Sequence, residues 1–265
     1  MDLVASRAAH LAQTAPDVAR AHAAAEYDAL VSMVDVFAAS DWDLPTDCTG
    51  WRVRDMVAHV AGAAEEACRV PVMLRHQAAA LNGVRRRDGT LVDLLCAVQI
   101  AERSGLSDVE LAADLRRWAA GAPDGRRRQP GLLRRVPLPR FAGLRRGARL
   151  SYLLDVVYVR DVWLHRVDLH RATGVDLPVS SAEGEVVAQV VRDLDLEWDA
   201  PALVLELTGR GAGRWTVGEG EPFAAVTEDA VALMRLLSGR SDECALVTDG
   251  DPAAADRLRA ARVVF

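Results

Sequence analysis

Apolar residues recur at spacings of three and four through most of the first 177 positions, and after Pro178 this gives way to short runs and turns. The first period suits helices with one buried face, and the second suits short strands. Helices first and strands later constrain the chain to an α+β fold, a helical bundle followed by a small α+β domain. The expected division is 1–177 for the bundle and 178–265 for the second domain.

Within the bundle, Ala23, Tyr27, Leu30, Val34 and Phe37 predict a helix from about Asp17 to Ser40. Pro45 and Gly50 make 41–50 a connection. Val53, Val57, Val60 and Ala64 form the stripe of a second helix, from about Arg52 to Arg69, with Asp55 suited to the dipole in its first turn. Helical pattern returns over Leu74–Leu81 and over Leu91–Ala119, with a turn-like stretch around Gly83 and Gly89 between. Residues 121–149 carry Arg126, Arg127, Arg128, Arg134, Arg135, Arg140, Arg145, Arg146 and Arg149, interrupted by Pro123, Pro130, Pro137 and Pro139. Such a segment reads as an irregular insertion, either a solvated loop or a rim that attracts an anionic substrate. A strong helix from Leu150 to Thr173 stops at Gly174. Beyond Pro178 the expectations are a helix over Ser181–Trp198, strands over Ala202–Thr208 and Arg214–Val217, a helix over Thr227–Leu237, and a last short strand at Val263–Phe265.

Composition narrows the function. The formal charge of −6 argues against a nucleic-acid partner. The insertion offers only Phe141 as an aromatic platform among its arginines. All 32 basic side chains are arginine, so a lysine Schiff base is excluded. The four cysteines, Cys48, Cys68, Cys96 and Cys244, form no C-x-x-C pair, which reads as a reducing, cytoplasmic setting. Arg7, His10 and Asp17 interrupt any leader-like apolar run, and no uncharged stretch is long enough to span a membrane.

The Leu150–Thr173 helix carries the best chemical signal. Asp161 and His165 project from one face, one turn apart, beside Leu150, Leu154, Val157 and Leu164. A carboxylate and an imidazole in an apolar stripe need a partner. That partner is either each other, as an ion pair, or a metal ion, with Asp168 placed to orient the imidazole. His59, on the second helix, is the natural third ligand. His10, His22 and His76 have no comparable context, and His170 points elsewhere. Three ligands leave an open coordination position, the mark of a catalytic metal site, and the donor set suits zinc but also iron, nickel or manganese.

The stretch Trp42–Val60, with its tryptophan, its Pro45 turn, the Gly50-Trp51 step and His59 on the following helix, resembles the N-terminal signature of the mycothiol-dependent maleylpyruvate isomerase family. Arg160–Leu169, with an acidic residue four before a histidine, resembles its second signature. Thr227–Gly239 with Arg240 is similar to its C-terminal domain. The resemblance implies a DinB-like four-helix bundle, a sterol-carrier-like second domain, and a divalent zinc site at His59, Asp161 and His165. It also implies mycothiol or a similar thiol as cosubstrate of an isomerase or S-transferase. Arginine would bind substrate carboxylates, and Arg240 is the candidate for that catalytic role. Three departures stand out: Asp161 replaces the usual glutamate, Arg52 sits where a small capping hydroxyl is common, and the arginine-rich insertion is long. Two other readings of the same scaffold stay open, a metal-dependent hydrolase and a non-catalytic small-molecule binding or regulatory protein. The expected partners are a small-molecule substrate and a low-molecular-weight thiol, with the chain a monomer or homodimer.

Overall fold

The computed structural model describes residues 6–86, 90–138, 147–241 and 243–265. Strand β1 (Ser6–Arg7) and a 3-10 turn precede helices α1 (Pro16–Val34), α2 (Val53–Cys68), α3 (Val70–Arg86), α4 (Leu91–Ala101) and α5 (Asp108–Ala119). The short α6 (Ala122–Arg127) and α7 (Gly131–Arg134) follow. Then α8 (Leu150–Tyr152) runs through a π-helical turn at Leu153–Val157 into α9 (Tyr158–Thr173). The remainder is α10 (Glu183–Leu196), β2 (Leu203–Thr208), β3 (Gly213–Val217), β4 (Ala224–Asp229), α11 (Ala230–Leu237), β5 (Val247–Gly250) and α12 (Ala253–Ala260).

Helices α1, α2, α5 and α9 enclose one core, with Tyr27, Leu30, Val57, Leu111, Leu115, Val162 and Leu169 inside it. The other face of α9 enters a second core. There Val159, Trp163, Leu164 and Val167 pack with Val187 and Val190 of α10 and with Leu203, Leu205, Val217 and Val226 of the sheet. Helix α9 is therefore buried nearly all round, as a helix shared by two cores must be, and the charged residues it carries inside need partners. Its buried arginines are paired in both directions: Arg166 reaches Glu26 of α1, and Arg160 reaches Asp193 of α10. Burial pushes the Glu26 carboxyl up, against the pull of Arg166.

The sheet order is β1-β3-β2-β4-β5. Strand β2 pairs antiparallel with β3 and parallel with β4, while β5 runs antiparallel to β4. Strand β1 pairs parallel with β3, so the start of the chain lies on the late-sequence sheet. Buried Asp195 clamps it there, accepting hydrogen bonds from Ala9 N at 2.6 Å and Gly218 N at 2.7 Å.

The observed fold is the expected α+β class, and several elements differ from the sequence-based boundaries. Helix α1 ends at Val34. The expected single helix over 91–119 is two, because Ser107 and Glu110 form a capping box that starts α5. Helix α3 passes through Gly83, and Gly89 lies outside the described residues. The expected helix over Thr227–Leu237 is a strand up to Asp229 followed by a helix that Asp229 caps, its side chain accepting from Ala232 N at 3.0 Å. Val226, fully buried in the centre of the sheet, is what commits that stretch to extended chain. Val263–Phe265 adds no strand. Val263 N instead donates to Leu237 O at 3.0 Å, and the missed edge strand is β5.

The described part of the arginine-rich insertion is built rather than irregular. Pro123 sits in the first turn of α6, where its missing N–H costs nothing. Arg126 and Arg134 are buried, and Arg134 pairs with Asp155 of the π-helical turn. Pro139, Arg140, Phe141, Arg145 and Arg146 lie outside the described residues. No helix among the described residues is long and apolar enough to cross a membrane.

Candidate metal centre

Two helices bring the three candidate ligands together. His59 lies in the second turn of α2. That helix starts where Asp55 accepts from the Arg52 backbone N–H at 2.9 Å, so the carboxylate does the capping that Arg52 cannot. Asp161 and His165 lie on α9, just after the π-helical turn. One atom from each of His59, Asp161 and His165 falls within 4.8 Å of the others. Asp161 Oδ1 is 3.3 Å from His165 Nε2, and Asp161 Oδ2 is 3.8 Å from His59 Nε2. The imidazole centroids are 5.2 Å apart, and the Trp51 ring lies against both, 5.1 Å from His59 and 6.0 Å from His165. Both histidines are buried, while Asp161 keeps about a fifth of its side chain exposed (20%).

The outer nitrogens are committed. His59 Nδ1 meets Gln99 Oε1 at 2.8 Å, and His165 Nδ1 meets Asp168 Oδ2 at 3.3 Å. A ring nitrogen facing an acceptor carries the proton, which leaves each Nε2 with a lone pair aimed at the Asp161 carboxylate. Three acceptors face one another, and only cations reconcile them. Protons at both imidazoles are one solution, and a metal ion is the other. Electrostatics express the same demand. Burial alone would lower the His59 imidazole, but neighbouring Cys96 and Asp161 raise it to about 10. Burial also opposes charge on His165, yet the Asp161 carboxylate raises it well above its usual value. Burial would raise Asp161, but His165 and His59 hold it well below the ordinary carboxylate range. The donor set thus fits a divalent cation.

Arg240 reaches this centre from the second domain. Helix α11 closes in a Schellman motif, with Gly239 N bonded to Leu236 O and Arg240 N to Arg235 O, both at 3.0 Å. Gly239 adopts φ +79°, the left-handed conformation the motif needs, and the turn delivers Arg240 to the site. Arg240 Nε donates to both Asp168 oxygens, at 3.0 and 2.8 Å. Its terminal nitrogens have no hydrogen-bond partner among the described residues. Buried Arg235 bridges Asp47 and Asp168, the latter at 3.9 Å. Cys48 Sγ lies 3.8 Å from Asp168 Oδ2, so Cys48, His165 and Asp168 form a second close triple. That triple is the weaker ligand set, since Asp168 already serves Arg240.

Sequence reasoning grouped His59, Asp161 and His165 with Asp168 behind them and named Arg240 separately as a carboxylate binder, and the structure brings all five together. It missed Gln99, Arg235 and the partners of His76. Gln99 had a signal, a lone polar side chain inside the apolar run Leu94–Ile100. His76 does have a context: it is fully buried, with Nδ1 2.6 Å from Glu66 Oε1 and Nε2 2.9 Å from Glu102 Oε2.

A helical bundle that carries a buried pair of histidines and a carboxylate, joined to a small α+β domain that supplies an arginine, is the class these features define. The chain belongs to the family described as mycothiol maleylpyruvate isomerase N-terminal domain, whose sequence model matches residues 22–170. Two solved structures share the fold, a mycothiol-dependent maleylpyruvate isomerase and a single-site mutant of it. They superpose with TM-scores of 0.56 and 0.55 at 16% identity, over 93% of this chain and 97% of theirs. A search of curated protein sequences returns no significant match.

Proposed function

We propose that the protein is a metal- and thiol-dependent isomerase or S-transferase, acting on a small electrophilic substrate that bears a carboxylate, with mycothiol or a similar thiol as cosubstrate. The observation that carries this reading is the convergence of His59 Nε2, His165 Nε2 and an Asp161 oxygen within 4.8 Å, each imidazole anchored through its other nitrogen. Family membership and the names of the two structural neighbours supply the thiol and the reaction class. His59, Asp161 and His165 would hold a divalent ion, zinc being well suited to the donor set. Bound there with a free coordination position, the ion would favour thiolate over thiol at neutral pH.

The chain's own groups do the rest. Asp168 keeps His165 oriented, and Arg240 keeps Asp168 in place. The terminal nitrogens of Arg240 bind the substrate carboxylate, for which a guanidinium fork is matched. Trp51 covers the imidazoles and keeps bulk water off the reacting atoms. The thiolate adds to the substrate's activated double bond, the resulting single bond rotates, and elimination restores the double bond and the thiolate. In a transferase, the carbon next to the new C–S bond instead takes up the proton that the thiol gave up, and the conjugate is released.

Metal analysis of the purified protein tests the centre. The expected result is a near-stoichiometric divalent ion that His59→Ala and His165→Ala lose, and equally low content in all three refutes it. Turnover of maleylpyruvate-like substrates should need thiol and metal together. Thiol-independent hydrolysis would point to an activated water at the open position.

A further inference from the structure

A chain of hydrogen bonds runs from the surface of the bundle to His59. Glu102, about one-third exposed (34%), meets His76 Nε2 at 2.9 Å and also binds Arg75. His76 Nδ1 meets Glu66 Oε1 at 2.6 Å, and Gln99 Nε2 donates to the same oxygen at 2.6 Å. Gln99 Oε1 then accepts from His59 Nδ1 at 2.8 Å. The inner members are nearly inaccessible: His76 is 0%, Gln99 2% and Glu66 6% exposed.

The direction of this chain is fixed by chemistry. A carboxylate offers only acceptors, so Glu66 must face the NH2 end of the Gln99 amide. The carbonyl end is thereby turned to His59, where it can only accept. His59 must then carry its proton on Nδ1, and its Nε2 lone pair is left for the cluster. His76, lodged between two carboxylates, supplies Glu66 with a donor and stops it from turning away. A neutral amide alone could flip and present its NH2 to His59, which would put the proton on the wrong nitrogen.

We propose that Gln99, Glu66 and His76 are positioning residues that lock the His59 ring in its ligating tautomer, as Asp168 of α9, itself held by Arg240 of the second domain, does for His165. This rests on the metal reading above and adds to it a support reaching from α3 and α4. Nothing in the relay touches substrate, and its effect passes entirely through the geometry and basicity of His59.

The test measures Co2+ and Zn2+ affinity of the full chain by chelator competition, for wild type, Gln99→Leu and Glu66→Gln. A second readout is the Nδ1–H proton resonance of His59 in metal-free protein, told from any Nε2–H signal by its one-bond correlation to Nδ1 and assigned by its loss in His59→Gln. Gln99→Leu should weaken Co2+ binding about 10–100-fold and alter its d–d spectrum. Glu66→Gln, which frees the amide to flip, should weaken it by a smaller factor while keeping the side-chain shape, and it decides the matter if Gln99→Leu does not fold. Wild-type affinity in both variants overturns the proposal. If wild type binds neither ion, the metal reading falls and the ring signal decides the lock. A protected His59 N–H signal in wild type, lost in Gln99→Leu or weakened in Glu66→Gln, sustains it; the lack of such a signal in wild type defeats it.

Discussion

Single residues carry the charge economy of this interior. Glu26 and Arg166 are both fully buried and pair across α1 and α9. Glu26→Ala leaves a buried guanidinium unpaired and should cost about 3–5 kcal/mol in urea unfolding, whereas replacing both partners by apolar residues should cost far less. Glu228 shows how a carboxylate couples stability to pH. Burial would raise it, but Leu246 N at 2.6 Å, Cys244 Sγ at 3.1 Å and Asp229 N at 2.8 Å all donate to it, and its pKa lies below the ordinary 4.5. A carboxyl depressed in the folded state stabilises the fold above its unfolded pKa, and that contribution is lost as pH falls through the folded value. Glu228→Gln should therefore flatten the acid limb of the stability profile below about pH 4.5, with its largest loss of stability at neutral pH. Thermal melts across pH 3–7 would show it, and an unchanged acid limb would refute it. Burial, together with the same contact to Glu228, pushes Cys244 up to about 12, so this cysteine should resist alkylation at neutral pH.

Elements meet where small residues let them. Gly62 stands one turn beyond His59 on α2, and an added Cβ would lie 2.6 Å from Gln99 Cβ. Alanine is a better helix former than glycine by about 1 kcal/mol. Gly62→Ala should nonetheless destabilise by about 1–3 kcal/mol, because α4 must shift, and it should weaken metal binding with it. A stabilised variant would show that the contact yields freely. At the other end of the site, Gly239→Ala imposes a left-handed conformation on a residue with a Cβ, worth about 1–2 kcal/mol. Because the Schellman turn aims Arg240, this variant should raise KM for a carboxylate substrate more than it lowers kcat. His59, Asp161 and His165 were legible from sequence because an i, i+4 pair and a polar residue in an apolar stripe are local signals. Glu66 and His76 were not, and Gln99 showed only as a polar side chain in an apolar run, because the roles of all three lie in contacts between α2, α3 and α4 that no spacing within one helix encodes.

At the scale of the whole molecule, α9 makes the two cores one. Trp163 is buried in the sheet-side core while Val162 beside it serves the bundle. Trp163→Ala should cost about 3–5 kcal/mol and move a single unfolding transition, seen alike in near-UV and far-UV signals. Two separated transitions would refute this coupling. A fragment of residues 178–265 lacks both α9 and the N-terminal strand that Asp195 clamps to β3, and it should not fold on its own, which a proton–nitrogen correlation spectrum would check.

The amino-acid order by itself determined what short-range physics can encode: helices of period 3.6, a break at Pro178, the glycine stops at Gly174 and Gly239, and the faces on which Asp161 and His165 stand. Tertiary structure alone decided the rest. It chose strand over helix at Ala224–Asp229 by burying Val226 in a sheet, and it returned Ser6–Arg7 to a strand more than two hundred positions away. It also turned arginines that read as a solvated rim into buried partners such as Arg134. The physical reason is common to all three, since burial and hydrogen-bond partners are properties of the assembled interior, and neighbours in sequence carry no record of which distant group will meet them.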